Sequence, residues 1–133
     1  MGWLSRLRES AQRKALREEF EATAKLLAQA DESQQAAVGR SINLATSVLA
    51  SRYPTLAEFE AAPREEKVKC LQSLTSLERE LNTKQVGSGL GVGLFKMWLG
   101  AVVAQDEALV QRFSEELTRL SAKAEPSHEQ GGL

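Results

Sequence analysis

The stretch Val86–Ala104, with the sequence VGSGLGVGLFKMWLGAVVA, decides the fold of this chain. It contains five of the nine glycines in the protein, and Lys96 is its single charged residue. The segments around it are amphipathic, whereas this one is apolar on every side. A helix that is apolar all round is typically enclosed by other helices. The stretch therefore predicts a central helix from about Gly89 to Ala104.

Two other interpretations of this stretch are disfavoured. A phosphate-binding loop needs a Gly-Lys-Ser/Thr ending, or the G-x-G-x-x-G spacing after a strand, and this sequence has neither. A membrane span would have 19 residues, which is only just long enough at about 28 Å. Lys96 near its middle would cost about 2.5–3.5 kcal/mol on insertion. We therefore expect no nucleotide loop and no membrane-spanning segment.

Small residues follow one side of the predicted central helix. Glycine costs a helix about 1 kcal/mol relative to alanine, so its repeated use indicates a close contact that compensates for this cost. Small residues on one face let a second backbone approach, either within the chain or across a dimer. We predict that Gly93 and Gly100 touch another backbone. The candidate interface consists of Gly89, Gly93, Gly100 and Ala104.

The rest of the chain is also predicted to be helical. Helix-forming residues dominate, apolar residues recur at spacings of three and four, and no strand pattern or internal repeat is present. Thr55 and Glu58 match a capping box that opens a short helix after Pro54. The sequence predicts an all-α compact bundle of about five helices plus one short helix. We expect one domain over residues 1–123 and a flexible tail over 124–133.

Composition narrows the class of protein. A chain of 133 residues with 42% apolar and 26% charged residues is typical of one soluble globular domain. The net charge of −1 provides no field that would attract nucleic acid, so we expect no nucleic-acid partner. Cys70 is the single cysteine, which fits a reducing compartment. The first 20 residues lack the continuous apolar core of a secretory signal. The predicted location is the cytoplasm.

Residues suited to catalysis are scarce. The single histidine, His128, lies in the predicted tail, where a general base would lack a rigid frame. Cys70 borders an apolar stripe, where a free cysteine is usually a small buried side chain. The sequence has no Cys/His cluster and no Glu-x-x-His pair. We therefore predict a protein that is not an enzyme, with no catalytic residue, metal site or cofactor.

Elimination favours a small protein–protein interaction module, such as an adaptor, regulator, chaperone or immunity-type protein. Its partner would be another protein or a second copy of the chain. An alternative is an apolar pocket between helices that binds a small apolar ligand, because helical bundles house ligands there. The candidate pocket residues are Phe95, Met97, Trp98 and Phe113.

A further alternative is peripheral association with a membrane through the first helix. Residues 1–17 contain five basic residues and one acid, a local balance of +4, beside apolar neighbours. A basic amphipathic helix of this kind lies on anionic surfaces or binds acidic grooves. The acidic residues that follow it favour a solvated helix face instead. The candidate surface residues are Trp3, Arg6, Arg13, Lys14 and Arg17.

Overall fold

The computed structural model describes residues 2–85 and 87–124, and the side chains of 11–85 and 87–124. This part of the chain is all-α, with no strand, as the sequence predicts. Its helices, in chain order, are α1 (Gly2–Ala28), α2 (Glu32–Arg52), α3 (Leu56–Ala61), α4 (Arg64–Lys84), α5 (Leu90–Val103) and α6 (Glu107–Lys123). Of the predicted tail, residues 124–133, the structure describes Ala124, and residues 125–133 lie outside the described residues.

Side-chain caps fix where three of the helices begin. Asp31 accepts a hydrogen bond from the Gln34 backbone N–H at 2.8 Å, so α2 begins at Glu32. Thr55 and Asp106 cap α3 and α6 in the same way. Each cap satisfies a backbone donor that the first turn of a helix leaves without a partner. The Thr55 cap predicted from the sequence is thus confirmed.

The predicted central helix is confirmed. It is helix α5, which is slightly shorter than the predicted range of about Gly89 to Ala104. Helix α5 contacts α1, α2, α4 and α6, and its apolar side chains reach the middle of the core. Its enclosure is incomplete, however, because Leu90 is 43% exposed and Val103 is 53% exposed. The expectation of burial on every side is therefore wrong at the two ends of α5. The fully buried core around it includes Phe20, Phe59, Leu74, Val92, Leu94, Leu109, Phe113 and Leu120.

Helix α1 packs on the bundle through one face near its C-terminal end. Leu16 is half-buried, and Phe20, Ala24 and Leu27 are buried. The apolar positions of this helix, mostly three or four residues apart in sequence, also include Ala11 and Ala15. Both of these alanines are exposed. The step from residue 15 to residue 16 moves these positions about 100° around the axis, so they do not form one continuous face.

Candidate functional site

The close backbone contact in α5 occurs at Gly91, where α5 crosses α2. A Cβ atom at this position would overlap with the Ser41 hydroxyl and the Val38 carbonyl. Gly39 has the same role where α2 meets α6, because a Cβ atom there would overlap with the Leu120 carbonyl of α6. These two glycines allow α2 to lie close to both α5 and α6. Sequence reasoning did not select either of them.

The predicted interface residues have different surroundings. A Cβ atom on Gly93 would lie 3.0 Å from a carboxylate oxygen of Glu78, and one on Gly100 would lie 3.7 Å from a methyl carbon of Leu16. Among the described residues, neither glycine lies against another backbone, and a contact across a dimer, the other half of the prediction, stays a prediction. Gly89 does lie against another backbone, since its Cβ would lie 2.6 Å from the Glu78 carbonyl. The Ala104 carbonyl accepts a hydrogen bond from Arg13 at 3.1 Å.

Lys96, the single charge of α5, is paired with α4. Its ammonium group lies 2.8 Å from a Glu78 carboxylate oxygen and 3.0 Å from the Thr75 hydroxyl. Gly93 faces the same carboxylate, so its lack of a side chain leaves room for this pair. The small residue at position 93 thus accommodates an ion pair within the chain.

The four predicted pocket residues do not converge on one cavity. Phe95 and Trp98 lie side by side, with ring centroids 5.4 Å apart, and both line a surface depression. Met97, their neighbour, does not line it. Phe113 is fully buried and stacks on Phe20 of α1, with ring centroids 3.7 Å apart. The depression thus includes two of the four candidate residues, and the binding of an apolar ligand there stays a prediction.

A long groove follows the outer side of α6. Its first depression, of about 420 Å³, lies between α2 and α6 over Phe95 and Trp98. Its second, of about 820 Å³, lies between α3 and α6. The two depressions share Ser114 and Thr118, so they form one continuous feature, which we call the α6 groove. The residues that line it include Ile42, Thr46, Leu49, Leu56, Glu60, Phe95, Trp98, Val102, Glu107, Val110, Ser114, Glu115, Leu117, Thr118 and Ser121.

The floor of the α6 groove is apolar and its rim is acidic. Trp98 contributes an indole ring whose N–H donates to the Ser114 hydroxyl at 2.9 Å, which fixes the ring in the floor. The charged residues that line the groove are all acidic and exposed: Glu60, Glu107 and Glu115. The described residues that line the groove include no Lys or Arg. The groove therefore combines an apolar surface with a negative potential.

Sequence reasoning missed most of this groove because its walls come from separate helices. A local signal for it exists on α6, where Ser114, Thr118 and Ser121 are spaced by four and three residues. They form a row of small polar side chains along one face. Such a row between larger residues leaves a furrow, but the spacing does not reveal which helix lies across it.

The basic surface predicted at the N-terminus is described only in part. The side chains of Trp3 and Arg6 lie outside the described residues. The Arg13 guanidinium donates to the Ala104 carbonyl at the end of α5. Lys14 and Arg17 are exposed. Within the described residues, no helix combines the length and the apolar character that crossing a membrane requires.

The described side chains offer little for chemistry. Cys70 is fully buried, and burial raises the pKa of its thiol, an effect that nearby Arg52 partly offsets. Among residues 11–85 and 87–124, no three His, Cys, Asp or Glu side chains gather as a metal site would require. His128 lies outside the described residues. A buried, protonated thiol is a packing group and a poor nucleophile.

Comparisons of this chain with protein families, with curated proteins and with solved structures found no match.

Proposed function

We propose that this protein is a non-catalytic protein–protein interaction module whose binding surface is the α6 groove. The observation that carries the proposal is the continuous groove of apolar floor and acidic rim that runs along α6 past Trp98. From Glu107 to Ser121 the groove follows 14 helical steps, or about 21 Å. That length matches about four turns of a partner helix.

The form of the groove favours a helix over a small apolar ligand. Ligand pockets bury most of the surface of a small molecule in a concave site. The α6 groove is elongated and open to solvent, and three carboxylates stand along it. A partner helix laid in such a groove places apolar anchors at spacings of three and four on the floor. Its basic residues would meet the acidic rim, which favours rapid and selective association.

We also propose that the module works in the cytoplasm. A lone buried cysteine needs no oxidising compartment, which supports the cytoplasm as the place where the module works.

The test is a comparison of two matched variants. Thr46 and Thr83 are both exposed on helices, and each hydroxyl donates to the carbonyl four residues earlier. Thr46 lines the α6 groove, whereas Thr83 lies on α4. Thr46→Arg would fill the groove and repel a basic partner, and Thr83→Arg would not.

We expect proteins that co-purify with the wild-type chain from its native cells to be retained by Thr83→Arg and lost from Thr46→Arg. Circular dichroism would confirm that both variants remain helical. Equal capture by the two variants would refute the α6 groove as the binding surface.

A further inference from the structure

Helix α1 carries apolar residues at two sets of helix positions, about 160° apart around its axis. Its packing face contains Leu16, Phe20, Ala24 and Leu27, which lie against the bundle. Residues of a helix are rotated by about 100° at each step. On this geometry the apolar residues nearer the N-terminus are centred roughly 160° away from that packing face. They are Trp3, Leu4, Leu7 and Ala11.

The packing face itself becomes polar toward the N-terminus. Continued past Leu16, it carries Ser5, Glu9, Gln12 and Arg13. Gln12 and Arg13 are exposed, and so is Ala11 on the other side of the helix. The start of α1 therefore has an amphipathic sequence, whose apolar residues occupy helix positions opposite the packing face. A face of this kind is explained by a partner outside the monomer.

The charge of this segment is opposite to that of the α6 groove. From Trp3 to Lys14 there are four basic residues and one acid, which gives a balance of +3. The charged residues that line the groove are acidic. Opposite potentials on two surfaces steer them together and fix their register. The length also fits, because Trp3 to Lys14 spans about 17 Å and the groove about 21 Å.

We propose that the segment Trp3–Lys14 of one copy docks in the α6 groove of a second copy, and that the exchange is reciprocal. The apolar residues of the segment lie on the groove floor beside Trp98. Its arginines face Glu60 and Glu115 on the rim. Each copy provides one segment and one groove, so the assembly closes as a two-fold dimer. This inference rests on the proposed function, since it names the partner of the same groove.

The chain that follows α6 is a poorer candidate for the groove. Residues 125–133 follow α6 in sequence and contain two glutamates and no Lys or Arg. Their charge would be repelled by the acidic rim. Charge complementarity thus selects the N-terminal segment.

A charge-swap experiment tests the reciprocal dimer in the full-length chain. One variant carries Arg6→Glu and Arg8→Glu in the segment. The other carries Glu60→Lys and Glu115→Lys in the groove. Glu107 is left unchanged because its charge favours the first turn of α6. A control, Glu65→Lys with Glu80→Lys, changes the net charge equally at exposed positions on α4.

Light scattering should give the wild-type chain and the control twice the monomer mass. Each swapped variant alone should be monomeric, because like charges would face each other at both contacts. An equal mixture of the two variants should regain the dimer, since both contacts then pair opposite charges. Raising the salt concentration should weaken the wild-type dimer by screening these contacts.

Three results would overturn the proposal. They are a wild-type chain that stays monomeric at every concentration, a dimer that neither swap affects, and a mixture that does not associate. A monomeric wild type that still captures other proteins in a Thr46-dependent way would reject self-docking and leave the proposed function standing. Loss of Thr46-dependent capture would reject the proposed function itself.

Discussion

Gly91 shows how a single missing side chain sets the distance between two helices. Its position on α5 faces the Val38 carbonyl and the Ser41 hydroxyl of α2, and there is no space for a methyl group between them. The neighbouring Ser41 hydroxyl donates to the Val38 carbonyl at 2.8 Å, so both groups are held in place. Any side chain at position 91 must therefore push the two helices apart.

We predict that Gly91→Ala destabilises the fold and that Gly100→Ala does not. Both changes bring the same gain in helix propensity, about 1 kcal/mol. The Gly91 variant also introduces overpacking against backbone, which costs about 1–3 kcal/mol. At Gly100 the new methyl group would meet only a Leu16 methyl carbon at 3.7 Å. The difference between the two variants should therefore equal the overpacking cost.

Urea unfolding followed by circular dichroism measures this difference as a shift in midpoint. If Gly91→Ala proved as stable as Gly100→Ala, the crossing of α5 and α2 would be looser than the structure indicates.

The buried Cys70 thiol should make the stability of the fold depend on pH. Burial raises the pKa of this thiol in the folded state above the value in the unfolded chain. The unfolded thiol, with an ordinary pKa of about 8.5, therefore loses its proton first as pH rises. The contribution of the protonated thiol to the free energy of unfolding is therefore fully present below about pH 8.5 and decreases as the pH rises above that value.

We expect the wild-type chain to lose more stability than Cys70→Ala between about pH 8 and pH 10. The measurement is the free energy of urea unfolding at each pH under reducing conditions. Parallel curves for the two proteins would show that the buried thiol does not titrate as its environment implies.

Among the residues whose side chains the structure describes, those of the C-terminal half of α1 make most of its contacts with the bundle. Phe20 stacks on Phe113, and Arg112 of α6 binds the Glu21 carboxylate through two hydrogen bonds of 2.7 and 2.8 Å. Arg13 is the first described residue with a hydrogen bond to the bundle. The apolar residues before it occupy helix positions about 160° from the packing face.

We therefore predict that deletion of residues 1–10 changes the stability of the monomer by less than about 0.5 kcal/mol. Phe20→Ala should instead cost about 3–5 kcal/mol, because it empties a fully buried site. Thermal unfolding at a concentration that keeps the chain monomeric checks both values. A large loss on deletion would mean that the start of α1 packs on its own bundle.

The helices and their caps were predictable because their signals are local. Asp31, Thr55 and Asp106 each sit just before an apolar periodic run, and that position is visible in the sequence. The side of α5 that receives another backbone was not predictable. Gly91 and Gly93 are equally small, and only the placement of α2 and α4 decides which of them is crowded.

In the whole molecule, the candidate site depends on the tertiary arrangement of the helices even more than the glycine contacts of α5 do. Trp98 was recognisable as a candidate pocket residue because it is a large aromatic side chain in an apolar helix. The acidic rim was not, since Glu60 and Glu115 are far apart in sequence and look like solvated helix faces. They form one surface only because α3 and α6 lie side by side.

We propose that the α6 groove receives a basic amphipathic helix. The indole N–H of Trp98 lies in this groove, so its resonance reports directly on the binding of such a helix. A full-length chain with Trp3→Phe, Arg6→Glu and Arg8→Glu retains Trp98 as its one tryptophan, and its altered segment should leave the α6 groove of every copy empty. We predict that a peptide of residues 1–17 shifts the indole resonance of this chain in a saturable way. The shift should be lost with Thr46→Arg and retained with Thr83→Arg. A resonance that does not move throughout the titration would contradict the account.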